Sequence, residues 1–292
     1  MTVTLYKASP IKRKRRTAAA METLRTAILE VLGEDPPMTL RQLFYQLVIR
    51  GHIEKTEQQY DAIGRQCGLM RIEGALPWEY ITDNTRWMRK PDTYSGAAAA
   101  LRDVGKYYRR SLWAESPVYV EIWIEKDTLA GILYDVTSTW DVPLMVSRGF
   151  ASLSYIHEAA EAIEDKEKPA FIYYFGDHDP SGLSIDASIE NRLRQFAPDA
   201  EIHFERVAVT PKQIKQLNLP TRPTKKTDTR AKGFQGDSVE VDAIRPKYLK
   251  WLAERCIRQH VDNDVYERAL VGERAERDTI LQLAKTLDGK HK

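Results

Sequence analysis

The stretch Gly176-Asp177-His178-Asp179-Pro180-Ser181-Gly182 sets two carboxylates one residue apart, directly after the apolar run AFIYYF. An apolar strand that ends in acids and turns into a helix puts them at the carboxyl edge of a sheet, where α/β proteins bind ligands. Pro180 and Ser181 suit a helix start, and the free amides of such a start favour phosphate. A third acid, Glu125, ends the run VYVEIWIE and is followed at once by Lys126 and Asp127. Carboxylate oxygens are the donors magnesium prefers, and an ion held by them neutralises charge on a transferring phosphoryl group. One such acid alone reads as a helix cap. Three acids at two strand ends point instead to a metal set of Glu125, Asp177 and Asp179.

Arg41 and Tyr45 stand four residues apart in a stretch of helical character, so both lie on one face and a guanidinium can share a phosphate with the phenol. A tyrosine hydroxyl titrates near 10 and is a poor nucleophile until a base, cation or metal activates it. Taken by itself, Tyr45 reads as an ordinary helix aromatic. His178, between the two acids, is expected to point away from them and stays outside the metal set. Gly149 in SRGF reads as a strand-to-helix turn. Glu240 and Asp242 are further acids that no spacing ties to the site.

The elements that must position these residues change character along the chain. From Ala18 to Leu32 the residues Met21, Leu24, Ile28 and Leu32 recur at helical spacing, and Gly33 supplies a stop. Thr39 caps a second helix whose apolar face is Leu40, Leu43, Phe44, Leu47 and Val48, closed by Gly51. Thr56 starts a third, with Tyr60, Ile63, Cys67 and Met70 on one side and Arg65 and Arg71 elsewhere. A short extended piece, WEYITDNTR, follows. Three helices and a small β element are the order of a winged-helix module, whose third helix enters a DNA groove; a plain three-helix unit shares that order. Arg65 and Arg71 are therefore candidates for gripping DNA, or belong to a solvated helix face.

Beyond Pro117 the runs VYVEIWIE, PLMVSR, AFIYYFGD and AEIHFERVAV alternate with helical segments around Leu129, Ile156 and Ile189. That alternation predicts a parallel sheet covered on both faces. The stretch after Val209 is rich in Pro, Lys and Thr and has no sustained period, and from Pro246 onward helices return, separated near residues 261–264. The expected organisation is a basic arm (1–20), a winged-helix domain (21–90), a linker (91–116), an α/β domain (117–245) and a helical extension (246–292).

A glutamate ending the first strand, in IEKD, and a DxD before a helix, in GDHDPSG, resemble the Toprim domain shared by topoisomerases, primases and some nucleases. Within that group DHDPSG is similar to the acidic motif of type IIB topoisomerase A subunits and their meiotic double-strand-break relatives. Arg41-Gln42-Leu43-Phe44-Tyr45 resembles the family stretch in which an arginine stands four residues ahead of the nucleophilic tyrosine. The domain order over residues 21–209 resembles the same family, and the compact length resembles its stand-alone Mini-A relatives of phages and plasmids. The resemblance implies that Tyr45 attacks DNA, that Arg41 assists at the phosphate, and that Glu125, Asp177 and Asp179 bind magnesium. It also implies a homodimer on duplex DNA, the tyrosine of one subunit working with the metal site of the other.

Composition sets outer limits. A hydrophobic share of 42% and a charged share of 29% over 292 residues are those of a chain able to bury a core. Cys67 and Cys256 are far apart and have no zinc-ligand partners at suitable spacing. No stretch approaches the roughly 20 apolar residues of a membrane span, and the N-terminus lacks a signal-peptide centre, so a cytosolic protein without membrane contact is expected. The formal charge is +2, but Lys12, Arg13, Lys14, Arg15 and Arg16 form a basic run that reads as a phosphate-neutralising or solvated arm. No Gly-rich nucleotide loop is present, so ATP-driven strand passage requires a separate subunit. The competing readings are a Toprim nuclease that hydrolyses DNA with water, a winged-helix DNA-binding protein without catalysis, and, more remotely, a primase.

Overall fold

In the computed structural model, residues 17–82, 91–223, 234 and 236–289 are described. The basic run at 12–16 and the end of the WEYITDNTR piece lie outside them. Helix α1 (Ala18–Glu34) is capped by the Thr17 hydroxyl, which accepts from the Ala20 amide at 3.2 Å. It buries Leu24, Ala27, Ile28, Val31 and Leu32, three and four residues apart, which is one face of a helix. Helix α2 (Leu40–Ile49) begins with a reciprocal capping box between Thr39 and Gln42, and α3 (Glu57–Ile72) with a Thr56 cap. Two strands of two residues each, β1 (Met38–Thr39) and β2 (Ile81–Thr82), pair in parallel and tie the start of α2 to the chain that follows α3. The three helices and the small β element are thus present. β1 was invisible in the sequence because two residues carry no period.

The sheet has four parallel strands, β3 (Tyr119–Ile124), β4 (Leu144–Val146), β5 (Ala170–Phe175) and β6 (Ile202–Ala208), in the order β4-β3-β5-β6. The connecting helices are α5 (Ala130–Thr139), α6 (Leu153–Glu164) and α7 (Pro180–Phe196), and α8 (Pro211–Gln216) follows β6. Strand alternation sends Val120, Ile122 and Ile124 to one face, against Ile132 and Leu133 of α5 and Leu249 and Ile257 of α9 (Pro246–Arg258). It sends Trp123, Ile172 and Tyr174 to the other, against Ile156 and Ile163 of α6 and Ile185, Ile189 and Leu193 of α7. The protein is therefore mixed α/β, with a parallel sheet sandwiched between helices as the alternation predicts.

The first of these clusters also takes in Leu24, Ile28, Leu43 and Ile63 of the N-terminal helices, so those helices and one sheet face share a continuous core. Inside the stretch read as a linker, residues Ala97–Tyr107 form α4, which packs along α10 (Asn263–Gly289). Gly105 lets the two approach: a Cβ there would meet Leu281 Cδ2 at 2.8 Å. Among the described residues no helix is long and apolar enough to cross a membrane.

The topology fixes where a site can form. The chain leaves β3 toward α5 on one face and leaves the neighbouring β5 toward α7 on the other. Connections that diverge from adjacent strands leave a crevice at their carboxyl ends. Glu125 and Asp177 lie at these two strand ends.

Candidate functional site

Glu125 continues the β3 ladder by one bond, its amide donating to the Phe175 carbonyl at 2.8 Å. Its Oε2 accepts the Asp177 amide at 3.0 Å, so the carboxylate folds over the turn that follows β5. Gly176 makes room, since a Cβ there would sit 2.7 Å from Glu125 Oε2. Gly182, two residues past Pro180, fits for the same reason: a Cβ there would collide with the Asp177 carbonyl. Arg206 on β6 fastens this turn from beneath, donating to the carbonyls of Gly176 and Asp177 at 3.1 Å each and of Gly182 at 2.9 Å, and pairing with Asp186.

The two acids of the DxD have different tasks. Asp179 caps α7, Oδ1 accepting the Gly182 amide at 2.7 Å, while its Oδ2 lies 3.7 Å from an Arg222 nitrogen. Asp177 is buried; its Oδ1 accepts the Val241 amide at 2.9 Å and its Oδ2 meets Lys126 Nζ at 3.0 Å. Lys126 follows Glu125 in extended backbone and so faces the opposite way, where it also reaches Asp242 Oδ2 at 2.7 Å and Glu240 Oε2 at 3.1 Å. Burial works against a charged Lys126, but Asp242, Asp177 and Glu240 outweigh it and hold the ammonium protonated well above the usual lysine range.

Glu240 is the hub. Its Oε2 takes Arg41 at 2.6 Å (Nη2) and 2.9 Å (Nε), its Oε1 lies 3.4 Å from Arg222, and its charge acts on the nearby Tyr45 hydroxyl. Burial alone would raise Glu240, yet Lys126 and Arg41 hold its carboxyl down at about 2. The hydroxyl of Tyr45 moves the other way, above its ordinary value, through burial and then the Glu240 charge, against the pull of Arg41 and Lys126. Tyr45 is only 2% exposed, and the Lys55 ammonium stands over its ring at 4.9 Å. In one chain, therefore, Arg41, Tyr45, Asp177 and Asp179 all meet a shared set of charges, and Glu125 stands on the far side of Asp177.

Among the described residues Glu125 forms no ion pair, and the Asp177 amide and the Lys126 charge favour its ionised form. Burial, followed by the Asp177 carboxylate, pushes its carboxyl up to about 7. Hard oxygens whose charge is only partly compensated, at a sheet edge, fit a divalent cation such as magnesium. As the side chains stand, no three His, Cys, Asp or Glu residues among those described are grouped closely enough to enclose a metal ion. Lys126 occupies Asp177 Oδ2 and would have to yield to an ion there, whereas Asp179 keeps Oδ2 outside its helix cap.

The remaining sequence candidates fall elsewhere. Arg71 donates to the Trp78 carbonyl at 2.6 Å and to the Ile81 carbonyl and lies against the Trp78 ring, fastening α3 to the β2 segment; Arg65 is exposed on α3. His178 is held in an antiparallel bridge with Val239, its ring against Phe234, outside the acid set. Gly149 turns with φ +82°, as its place after β4 requires. Glu240 and Asp242, which no spacing tied to the site, lie at its centre, and Arg222 and Arg206 carried no signal beyond being charged residues in a loop and in a strand. The chain matches no model of a known protein family, and no curated protein matches it in sequence.

Proposed function

We propose that the chain cleaves duplex DNA by tyrosine transesterification, in the manner of a type IIB topoisomerase A subunit, with a winged-helix part carrying Tyr45 and a Toprim part carrying the acids. The observation that carries this reading is the meeting of Tyr45 and Arg41 with Lys126 and Asp177 around one carboxylate, Glu240. A nucleophile, a phosphate-binding guanidinium and an acidic strand edge, far apart in sequence, then belong to one centre.

In this reading the Tyr45 hydroxyl gives up its proton as Oη bonds to phosphorus, the bond from phosphorus to the 3′ oxygen breaks, and the 3′ oxygen takes up a proton, so that no net proton is released. The product is a 5′-phosphotyrosyl link and a free 3′-hydroxyl. Arg41 orients the phosphate through its planar fork, and Lys126 lends positive charge beside the tyrosine. Glu125, Asp177 and Asp179 would hold magnesium, which supplies charge neutralisation at the phosphoryl oxygens when bound. A second copy of the chain completes the cut on the other strand, the tyrosine of each copy serving the partner's acids once it has left Glu240. The setting is the cytosol, and strand passage would need a separate ATP-binding subunit.

One observation favours a second reading: a tyrosine only 2% exposed is a packed residue as it stands, which suits hydrolysis by water at the acids. Supercoiled plasmid incubated with the protein and magnesium, stopped with detergent and run before and after protease, separates the two. Transesterification yields nicked or linear DNA carrying protein, lost in both Tyr45→Phe and Asp177→Ala. Protein-free cuts that survive Tyr45→Phe but not Asp177→Ala would replace it with hydrolysis, and DNA binding without cutting in any form would replace it with a binding role.

A further inference from the structure

The surroundings of Glu240 are those of an anion site that the chain fills with its own side chain. Arg41, Lys126 and Arg222 converge on one carboxylate at 2.6, 3.1 and 3.4 Å, and its charge also reaches the Tyr45 hydroxyl. The ammonium of Lys55, 4.9 Å from the Tyr45 ring centre, adds a fourth positive charge nearby. Guanidinium and ammonium donors do not distinguish a carboxylate from a phosphate oxygen pair; both are planar or tetrahedral arrays of charged acceptors at hydrogen-bond range. A phosphodiester carries one negative charge, so exchanging it for the Glu240 carboxylate leaves the local charge unchanged.

Access also has a direction. The Glu240 side chain is 5% exposed, whereas the side chains of Arg41 and Arg222 above it are 45% and 42% exposed. An incoming anion would reach the arginines before Lys126, whose side chain is 20% exposed. Arg222 lies on a separate segment that bridges to Ser238, two residues before Glu240, so it reaches the carboxylate from a different part of the chain than Arg41 and Lys126.

We propose that Glu240 is an internal plug: its carboxylate occupies the seat of a substrate phosphate, and it swings out when phosphate enters between Arg41, Lys126 and Arg222. This deepens the cleavage reading by naming what occupies the phosphate seat beside Tyr45, and it rests on that reading for its biological use but not for its test. A plug in place at least nine-tenths of the time weakens apparent anion binding at least about tenfold.

The test is calorimetric titration of inorganic phosphate into the full chain at constant ionic strength. Glu240→Gln, which keeps the side-chain shape, should tighten phosphate binding at least about tenfold, and adding Arg222→Gln to that variant should abolish the gain. Phosphate binding that is equal in wild type and a folded Glu240→Gln overturns the plug. Should that variant fail to fold, wild-type crystals grown in phosphate decide: an anion between Arg41 and Arg222 with Glu240 turned away supports it, and Glu240 still on Arg41 overturns it. Covalent adducts are scored separately: tightened phosphate binding without adducts sinks cleavage and leaves the plug, and adducts without tightened binding do the reverse.

Discussion

The ammonium of Lys126 and the carboxylate of Asp177 stand 3.0 Å apart in a setting where both are largely buried, and neither has an apolar substitute that would leave its neighbours satisfied. The same ammonium serves Glu240 and Asp242, so three acids depend on it. Removing one partner of a buried charge network leaves the others desolvated and unpaired, which costs far more than the pair itself contributes.

Lys126→Met should therefore destabilise the fold by about 3 kcal/mol at pH 7. Lys126 is held protonated above the usual lysine range, so its contribution is complete at pH 7 and would be lost only as pH rises through that elevated value. Acidification acts on the variant instead. Asp177, already raised by burial, takes up a proton and removes one unpaired charge. Urea denaturation at pH 7 and pH 4.5 should show the gap between wild type and variant narrowing at the lower pH; an equal gap at both would mean that lost packing, not lost charge, is responsible.

Glu125 supplies the opposite case. The folded protein keeps its proton up to about 7, whereas the unfolded chain releases it in the ordinary carboxylate range. Stability thus falls as pH climbs from that range to about 7 and stays lowered above it. Glu125→Gln retains an oxygen for the Asp177 amide and removes the charge. In buffer with a chelator it should gain about 2 kcal/mol at pH 8, after discounting for partial solvent screening, and nothing at pH 4. Magnesium should then raise the Tm of wild type more than that of the variant. Loss of stability at pH 8 would mean that the Glu125 charge is already compensated in the metal-free protein.

Much of this was legible in the sequence, and the limits are physical. Helical periodicity marked α1 to α3 because Leu24, Ile28, Leu43, Leu47, Ile63 and Met70 all turn inward, and each start had a threonine at its cap. The switch from period 3.6 to short apolar runs marked β3 to β6. Asp177 and Glu125 were found because strand ends announce themselves by where the apolar run stops. Glu240 could not be found that way. It sits in a segment held by two isolated bridges rather than at the end of a strand, and its partners Arg41 and Lys126 lie 199 and 114 residues away. Pairings over such separations leave no periodic trace; only folding brings them together.

Asp179 is where capping and proposed metal binding meet, two readings that the sequence weighed against each other. Its Oδ1 caps α7 through the Gly182 amide, and its Oδ2, 3.7 Å from an Arg222 nitrogen, is the oxygen the cap does not use. Asp179→Asn keeps an acceptor for the amide and should match wild-type stability to within a few tenths of a kcal/mol, whereas Asp179→Ala loses the cap and about 1 kcal/mol. If Asp179 also ligates magnesium, both variants lose the magnesium-dependent rise in Tm and the cleavage, because an amide oxygen is a weaker ligand than a carboxylate. The asparagine variant is the informative one: unchanged stability with lost magnesium response assigns Asp179 to the ion as well as to the helix. An unchanged magnesium response in both variants would confine Asp179 to the cap and leave Glu125 and Asp177 as the metal pair.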